Sequence, residues 1–365
     1  MTHTGAHVPS PRDPASHGAG NPALRRCIET APKAELHVHL EGTLEADLSF
    51  ALAERNGIDP GYASPEAMRE AYVFHDLPSF LTLYYRNMNV LRTEADFRDL
   101  TWAYFERAHR DHIVYAEPFF DPQAHTSRGV PFETVIRGIR AGQRDALRDF
   151  GIDSNLILCF LRDHSAASAM TTLEAARPYR DCFIGVGLDS DEQDNPPEKF
   201  AEVFDRARAE GLKLTMHCDV NQQDSIDHIR TCVDAIGVDR IDHGINVLED
   251  PALCARLGER GMGFTVCPVS NHYVVQSLTT REIRAMLAHG LRVTINSDDP
   301  SYFGAYLNDN LLRLQAEGDF GPEAMALMIG NAFRIAWLDG AQRAAYLAAL
   351  AEHFAPVLQP GAQTA

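Results

Sequence analysis

Lys33-Ala-Glu-Leu-His-Val-His-Leu-Glu-Gly-Thr43 puts two histidines, His37 and His39, at i and i+2 at the end of an apolar run. In a strand, successive side chains alternate between faces, so these two point the same way and can hold one cation between them. Taken alone, the pair reads equally well as two hydrogen-bonded histidines on a half-buried strand. Three distant runs break the tie: Leu214-Thr-Met-His217, Val238-Asp-Arg-Ile-Asp-His243 and Val293-Thr-Ile-Asn-Ser-Asp-Asp299 are also strand-like and also end in ligand chemistry. Core filling does not call for His or Asp at the ends of separate strands. Barrel active sites do, because they are assembled from the C-terminal ends of several strands.

Outward from that first strand, the chain alternates. Leu44, Leu48, Phe50, Ala51 and Leu52 give a helical face that ends at Asn56-Gly57. Leu77 to Leu91 and Glu94 to Arg110 read as two long helices with no strand between them, an insertion placed to roof the pocket of a barrel. Strands follow at Ile113–Asp121, Ile152–Phe160 and Phe183–Asp189, with helices at Phe132–Phe150, Ala166–Ala176 and Pro197–Ala209. Strands ending at His217, His243, Cys267 and Ser297 complete eight strand-then-helix units. That alternation, with no GxGxxG after the first strand, predicts a closed parallel (β/α)8 TIM barrel with a helical insertion after strand 1. The domain spans residues 23–355, between a disordered tail at 1–22 rich in His, Pro, Gly and Ser and a short tail at 356–365. His3, His7 and His17 are dispersed in that leader and carry no site.

Bulk properties narrow the function. A length of 365 residues, with 45% hydrophobic and 23% charged residues, is ordinary for a globular chain with a large core. A formal charge of -18 without a Lys/Arg cluster argues against a nucleic-acid partner, while a small neutral base remains compatible. Seven scattered cysteines without a CxxC pair fit reduced thiols, hence a cytoplasmic location. No signal peptide or membrane span is evident, and self-association through the outer helices is left open.

His37, His39, His217 and Asp298 form a ligand set suited to one divalent ion such as Zn²⁺, with room for a water. A water bound in that way ionises near neutrality. His243, one strand over, is suited to orient that water and accept its proton, and Asp299, beside Asp298, to face a substrate.

The segments His37-Val-His-Leu-Glu-Gly-Thr43, Ile241-Asp-His-Gly244, Thr265-Val-Cys-Pro-Val-Ser-Asn271 and Asn296-Ser-Asp-Asp-Pro-Ser-Tyr-Phe-Gly304 resemble the adenosine and adenine deaminases of the amidohydrolase superfamily. Leu81-Thr-Leu-Tyr-Tyr85, Leu91-Arg-Thr93, Glu117-Pro-Phe-Phe-Asp-Pro-Gln123 and Val186-Gly-Leu-Asp-Ser190 look more like the adenine branch. The resemblance runs from about Lys33 to Trp337. It implies hydrolysis of a 6-aminopurine, with the metal ligands and His243 as above and Asp299 meeting purine N7. It further implies Glu41 as the residue separating base from nucleoside, and the Ser190-Asp191 turn along the purine edge near N3.

One departure is large. In those deaminases the histidine of the fifth strand is followed by Ala-Gly-Glu, and the glutamate protonates N1. Here the sequence is His217-Cys-Asp-Val-Asn-Gln-Gln-Asp224, with Val220 at the glutamate's offset and two extra residues in the loop. Losing such an acid commonly costs about 10²–10⁴-fold in rate. Three accounts follow: Asp219 or Asp224 supplies the proton to a 6-aminopurine; the substrate is adenosine, an N6-substituted purine or another heteroaromatic ring; or the chain is a weakly active purine binder. A binuclear phosphotriesterase-type site would need a lysine at the end of the fourth strand, and Lys33, Lys199 and Lys213 all lie elsewhere. The H-x-E with P-C-x-x-C signature of cytidine-type deaminases is absent.

Overall fold

The computed structural model describes residues 21–74 and 76–358. Most of the expected leader (1–20) and the last residues (359–365) therefore lie outside the described residues. Ten strand segments make eight parallel staves. Lys33–Glu35 (β1) pairs with Ile113–Ala116 (β2), which pairs with Asp153–Ser154 (β4). Above them, Phe119–Phe120 (β3) pairs with Ile157–Leu161 (β5). The ladder then continues in order through Gly185–Asp189 (β6), Lys213–Cys218 (β7), Arg240–His243 (β8), Gly263–Val266 (β9) and Arg292–Ile295 (β10).

Closure comes from the histidine stretch itself. Val38 bridges to Asp298 and His39 to Phe119, so the chain beyond β1 is stitched to both neighbouring staves. His39 N donates to Asp298 O at 3.0 Å and Asp298 N to His37 O at 3.1 Å. The second stave splits into β2 and β3 because Pro118 has no N–H to give to the ladder. The result is the expected parallel (β/α)8 barrel.

The barrel interior below the site is polar rather than branched aliphatic. Arg240, fully buried, donates to Glu117 and to Leu36 O and lies over the Trp337 ring at 4.2 Å. Asp242 accepts from Thr215 Oγ1 at 2.6 Å and from Thr265 Oγ1 at 2.7 Å. A buried charge is tolerable only when paired and hydrogen-bonded, and each of these groups has such partners.

One of the two expected roof helices is arranged differently. Glu94–Arg110 leads straight into β2 and packs against Phe132–Phe150, with Phe97 at Gly138 and Thr101 at Gly142, while Tyr104 donates to Glu35 in the barrel. It is a wall helix. A Cβ at Gly138 would come within 2.5 Å of Glu94 O, and one at Gly142 equally close to Thr101, so the glycines permit that close approach. The roof is made by Leu77–Asn87, as expected, with Phe74 beside it, and Ala46–Asn56, the short Pro65–Glu70 and a 3-10 turn at Met88–Val90 complete the insertion away from the cavity lining. Six residues are too few to carry a periodic signal, although Ser64 capping Ala67 N and Pro65 at the first position mark that start.

At the ends, Asn21 caps a helix at Pro22–Thr30, so the cap and the first helical residue fall within the stretch assigned to the N-terminal tail. The last helix, Gly340–Leu358, runs into the stretch assigned to the C-terminal tail. All seven cysteines are free. No helix among the described residues is long and apolar enough to cross a membrane.

At the closed end of the barrel, Lys33 is buried with its ammonium donating to Ala31 O (2.7 Å), Asp111 O (2.9 Å) and Glu29 O (3.2 Å). Burial pulls this amine down to about 7, with Asp111 opposing the shift. In the unfolded chain the amine keeps its proton to about pH 10.4, so between the two values the unfolded state binds more protons and stability rises with pH. Unfolding titrations at pH 7 and 9 are expected to show that rise in the native chain, at up to about 1.4 kcal/mol per pH unit. The rise should be flattened in Lys33→Met; an unchanged slope would refute it.

Candidate active site

Five side chains from four staves meet at the C-terminal mouth. His37 Nδ1 is 2.9 Å from Thr265 Oγ1, and its Nε2 is turned to the centre, 3.2 Å from Asp298 Oδ1. His39 Nε2 is 3.1 Å from His217 Nε2 and 3.4 Å from the same Asp298 oxygen. A tetrahedral ion with ligand bonds of 2.0–2.1 Å separates its ligand atoms by about 3.3 Å. The spacing of these donors is thus that of a metal polyhedron. His243 Nε2 stands on the other side of the aspartate, 3.8 Å from Oδ2. His243 also joins His37, His217 and Asp298 in one set of mutually close donors, while His39 joins Asp298 and Asp299 in another.

The surroundings fit a cation. His37 Nε2, the nitrogen turned to the centre, is buried without a hydrogen-bond partner. Unsatisfied buried nitrogens are costly unless something else takes them up. Burial, then the neighbouring histidines, holds His217 well below the ordinary imidazole value; the same causes bring His243 down to about 4. Burial would raise the Asp298 carboxyl, but His37, His243 and His39 more than reverse that and hold it ionised. For His39, burial is overcome by Asp299, Asp189 and Asp298, which raise it.

Outside the ligands lie orienting groups. Asp189 Oδ2 is 3.4 Å from His39 Nδ1, and Asp242 Oδ2 is 3.6 Å from His217 Nδ1. Thr265 links His37 to Asp242. Such partners set ring orientation and ligand basicity. His243 (φ 56°) and Asp298 (φ 66°) both adopt left-handed conformations at strand ends.

The cavity above opens to solvent and encloses about 830 Å³ of free space with its mouth included. Phe74, Leu77, Phe80, Leu81, Tyr84 and Phe303 give it an apolar roof, and Asp121, Asp189, Asp219, Asp298 and Asp299 a carboxylate floor. Asp299 faces the cavity and burial pushes it well above the usual carboxyl range. A Cβ at Gly42 would fall 2.0 Å from its Oδ1, so only glycine fits there.

The other expected residues separate. Ser190 lines the cavity and accepts from Tyr85 O–H at 2.9 Å. Asp191 lines instead an adjoining polar chamber of about 1,430 Å³ and caps Gln193 N. Glu41 is buried behind the wall, 2.7 Å from His125 Nε2 and accepting Asp121 N, with Oε2 unpartnered. Asp219 lines both chambers, whereas Asp224 is exposed and lines only the outer one. Burial, then the nearby Glu192, pushes the Asp219 carboxyl well up, so it is poised to carry a proton. Asp121, Asp189, Thr265 and Asp242 were not singled out from the sequence, although Asp121 and Asp189 obey the same strand-end rule. The lysines are remote from the ligands: Lys33 at the closed end, Lys213 at the start of β7 and Lys199 bonded to Arg162 O and Asn195.

Known proteins share this framework. The adenosine deaminase family model matches residues 32–353. An adenine deaminase of Acinetobacter baylyi is 48% identical over 314 residues, 86% of this chain and 94% of that one. An uncharacterized deaminase of Schizosaccharomyces pombe is 49% identical over 328 residues, 90% and 97% of the two chains. Among solved structures, an adenine deaminase from Arthrobacter aurescens superposes with a TM-score of 0.85 at 43% identity, covering 88% of this chain and 99% of its own. An amidohydrolase from Burkholderia ambifaria with bound zinc reaches the same TM-score at 30% identity, covering 96% and 97%. With a barrel whose strand ends converge on one cation site and a family match over nearly its whole described length, this chain belongs to the adenosine deaminase family.

Proposed function

We propose that this protein is a metal-dependent hydrolytic deaminase that converts adenine and water to hypoxanthine and ammonia, with one Zn²⁺ held by His37, His39, His217 and Asp298. The observation that carries the reading is the 3.1–3.4 Å spacing of their donor atoms. The relatives named adenine deaminases support the substrate. When bound, the ion supplies Lewis-acid activation that ionises water near neutral pH. The remaining work falls to side chains. His243, neutral because burial depresses it, offers a lone pair to the attacking water's proton. Asp299, whose carboxyl burial pushes upward, faces the cavity where it can meet purine N7. Asp219 is suited to protonate N1, which draws electrons from C6 and lets it accept the oxygen before ammonia leaves. The aromatic and aliphatic roof excludes water from the ring faces.

The outer chamber supports a second reading, an N6-substituted adenine, because it opens beside the inner cavity across Asp76, Leu77, Asp219 and Asn221. Purified protein is expected to shift the ultraviolet spectrum of adenine to that of hypoxanthine, with one equivalent of ammonia. Turnover of N6-alkyl adenines without turnover of adenine would replace the first reading by the second. Neither activity, with metal and purine bound, would leave a binding protein.

A further inference from the structure

Resting on the reading of Asp219 as the N1 acid, the departure after His217 raises the question of what holds an acid on a longer loop at the right distance from the metal. A buried ion pair answers it. Arg162, at the end of β5 and fully buried, faces Glu192, which is 1% exposed, at 3.4 Å. Their far ends grip the backbone on either side of Cys218. Arg162 Nη1 donates to His217 O at 2.9 Å, and Asp219 N donates to Glu192 Oε2 at 2.7 Å. The other glutamate oxygen accepts from His228 Nδ1 at 2.5 Å, and His228 sits on the Ser225–Arg230 helix where the loop ends. Arg162 is tied down in turn: Nε donates to Asn195 O, and Lys199 Nζ donates to Arg162 O.

We infer that Glu192, locked between Arg162 and His228, is a positioning residue that sets the Asp219 acid against the metal ligand His217 by clamping both ends of the lengthened loop. The pair is not explained by stability. Arg162 Nη2 is buried without a partner, and burying two charges often costs more than their attraction returns. Placement is what it supplies, since an error of about 1 Å at a reacting group can cost on the order of 10²-fold. None of the three clamp residues lines the inner cavity, so their effect on chemistry passes through Asp219.

The test compares adenine with 6-chloropurine. Chloride leaves as an anion without a proton from the enzyme, and its C6 is already electron-poor, so that reaction leans less on the acid. His228→Ala is expected to lower kcat for adenine by about 10–10²-fold with KM changed less than about threefold, and to spare 6-chloropurine. His228→Asn, whose amide N–H lies where Nδ1 does, should restore much of the loss. Glu192→Gln should behave as His228→Ala if it folds; metal content and circular dichroism are measured on every variant. Equal losses on both substrates, or none, would overturn the clamp. Asp219→Asn in the same assay separates the two ideas: if it spares adenine the acid assignment fails, and if it alone is selective the clamp fails.

Discussion

A His217→Ala chain is expected to purify without its divalent ion and to deaminate adenine at least about 10⁴-fold more slowly than the native protein, since without the ion water ionises only far above neutral pH. The size follows from the position of the side chain. His217 Nε2 is 3.1 Å from His39 Nε2, one edge of the donor polyhedron, and His39 alone cannot close the gap left behind. His217 is also buried and held far below the ordinary imidazole range, so it meets a cation as a neutral ligand without releasing a proton. Elemental analysis beside the rate measurement checks the result. Full metal content with lost activity would mean that His217 is not a ligand, and retained activity would sink the site altogether. Stripping the native protein with a chelator and adding back Zn²⁺, Mn²⁺ or Fe²⁺ shows which ion restores turnover, as the same nitrogen and oxygen donors serve all three.

Asp219→Asn is expected to lower kcat for adenine by about 10²–10⁴-fold, and Asp224→Asn to change it by less than about threefold. Asparagine keeps the shape of the side chain but has no proton to give. The contrast comes from placement: Asp219 shares the inner cavity with His217, His243, Asp298 and Asp299, whereas Asp224 lies at the solvent-exposed far end of the loop. Burial, then the neighbouring Glu192, pushes the Asp219 carboxyl above the usual range, the direction an N1 donor needs. Should both variants match the native rate, the proton would have to reach N1 by another route. A reversed pattern would point to a loop that closes over substrate and carries Asp224 inward.

The parity of His37 and His39 and the acid or histidine endings of three later runs were enough to name a barrel, its open end and the side chains that meet there. Those features are local: strand alternation dictates which side chains share a face, and parallel staves deliver their C-terminal residues to the same mouth. Asp189 and Asp121 were legible by the same rule, and both stand in stretches quoted for the adenine branch, but neither was given a role there. Other matters had no local signature. Glu94–Arg110 has the same helical periodicity whether it roofs a pocket or lines a wall, and only its packing on Phe132–Phe150 decides. Glu41 sits in a conspicuous motif, yet His125 and the Asp121 amide draw it behind the cavity wall. Between Asp219 and Asp224 the amino-acid order is silent, because a loop's path is chosen by whatever grips it. The grip here comes from Arg162, Glu192 and His228, residues far apart in the chain that meet only once the barrel has closed.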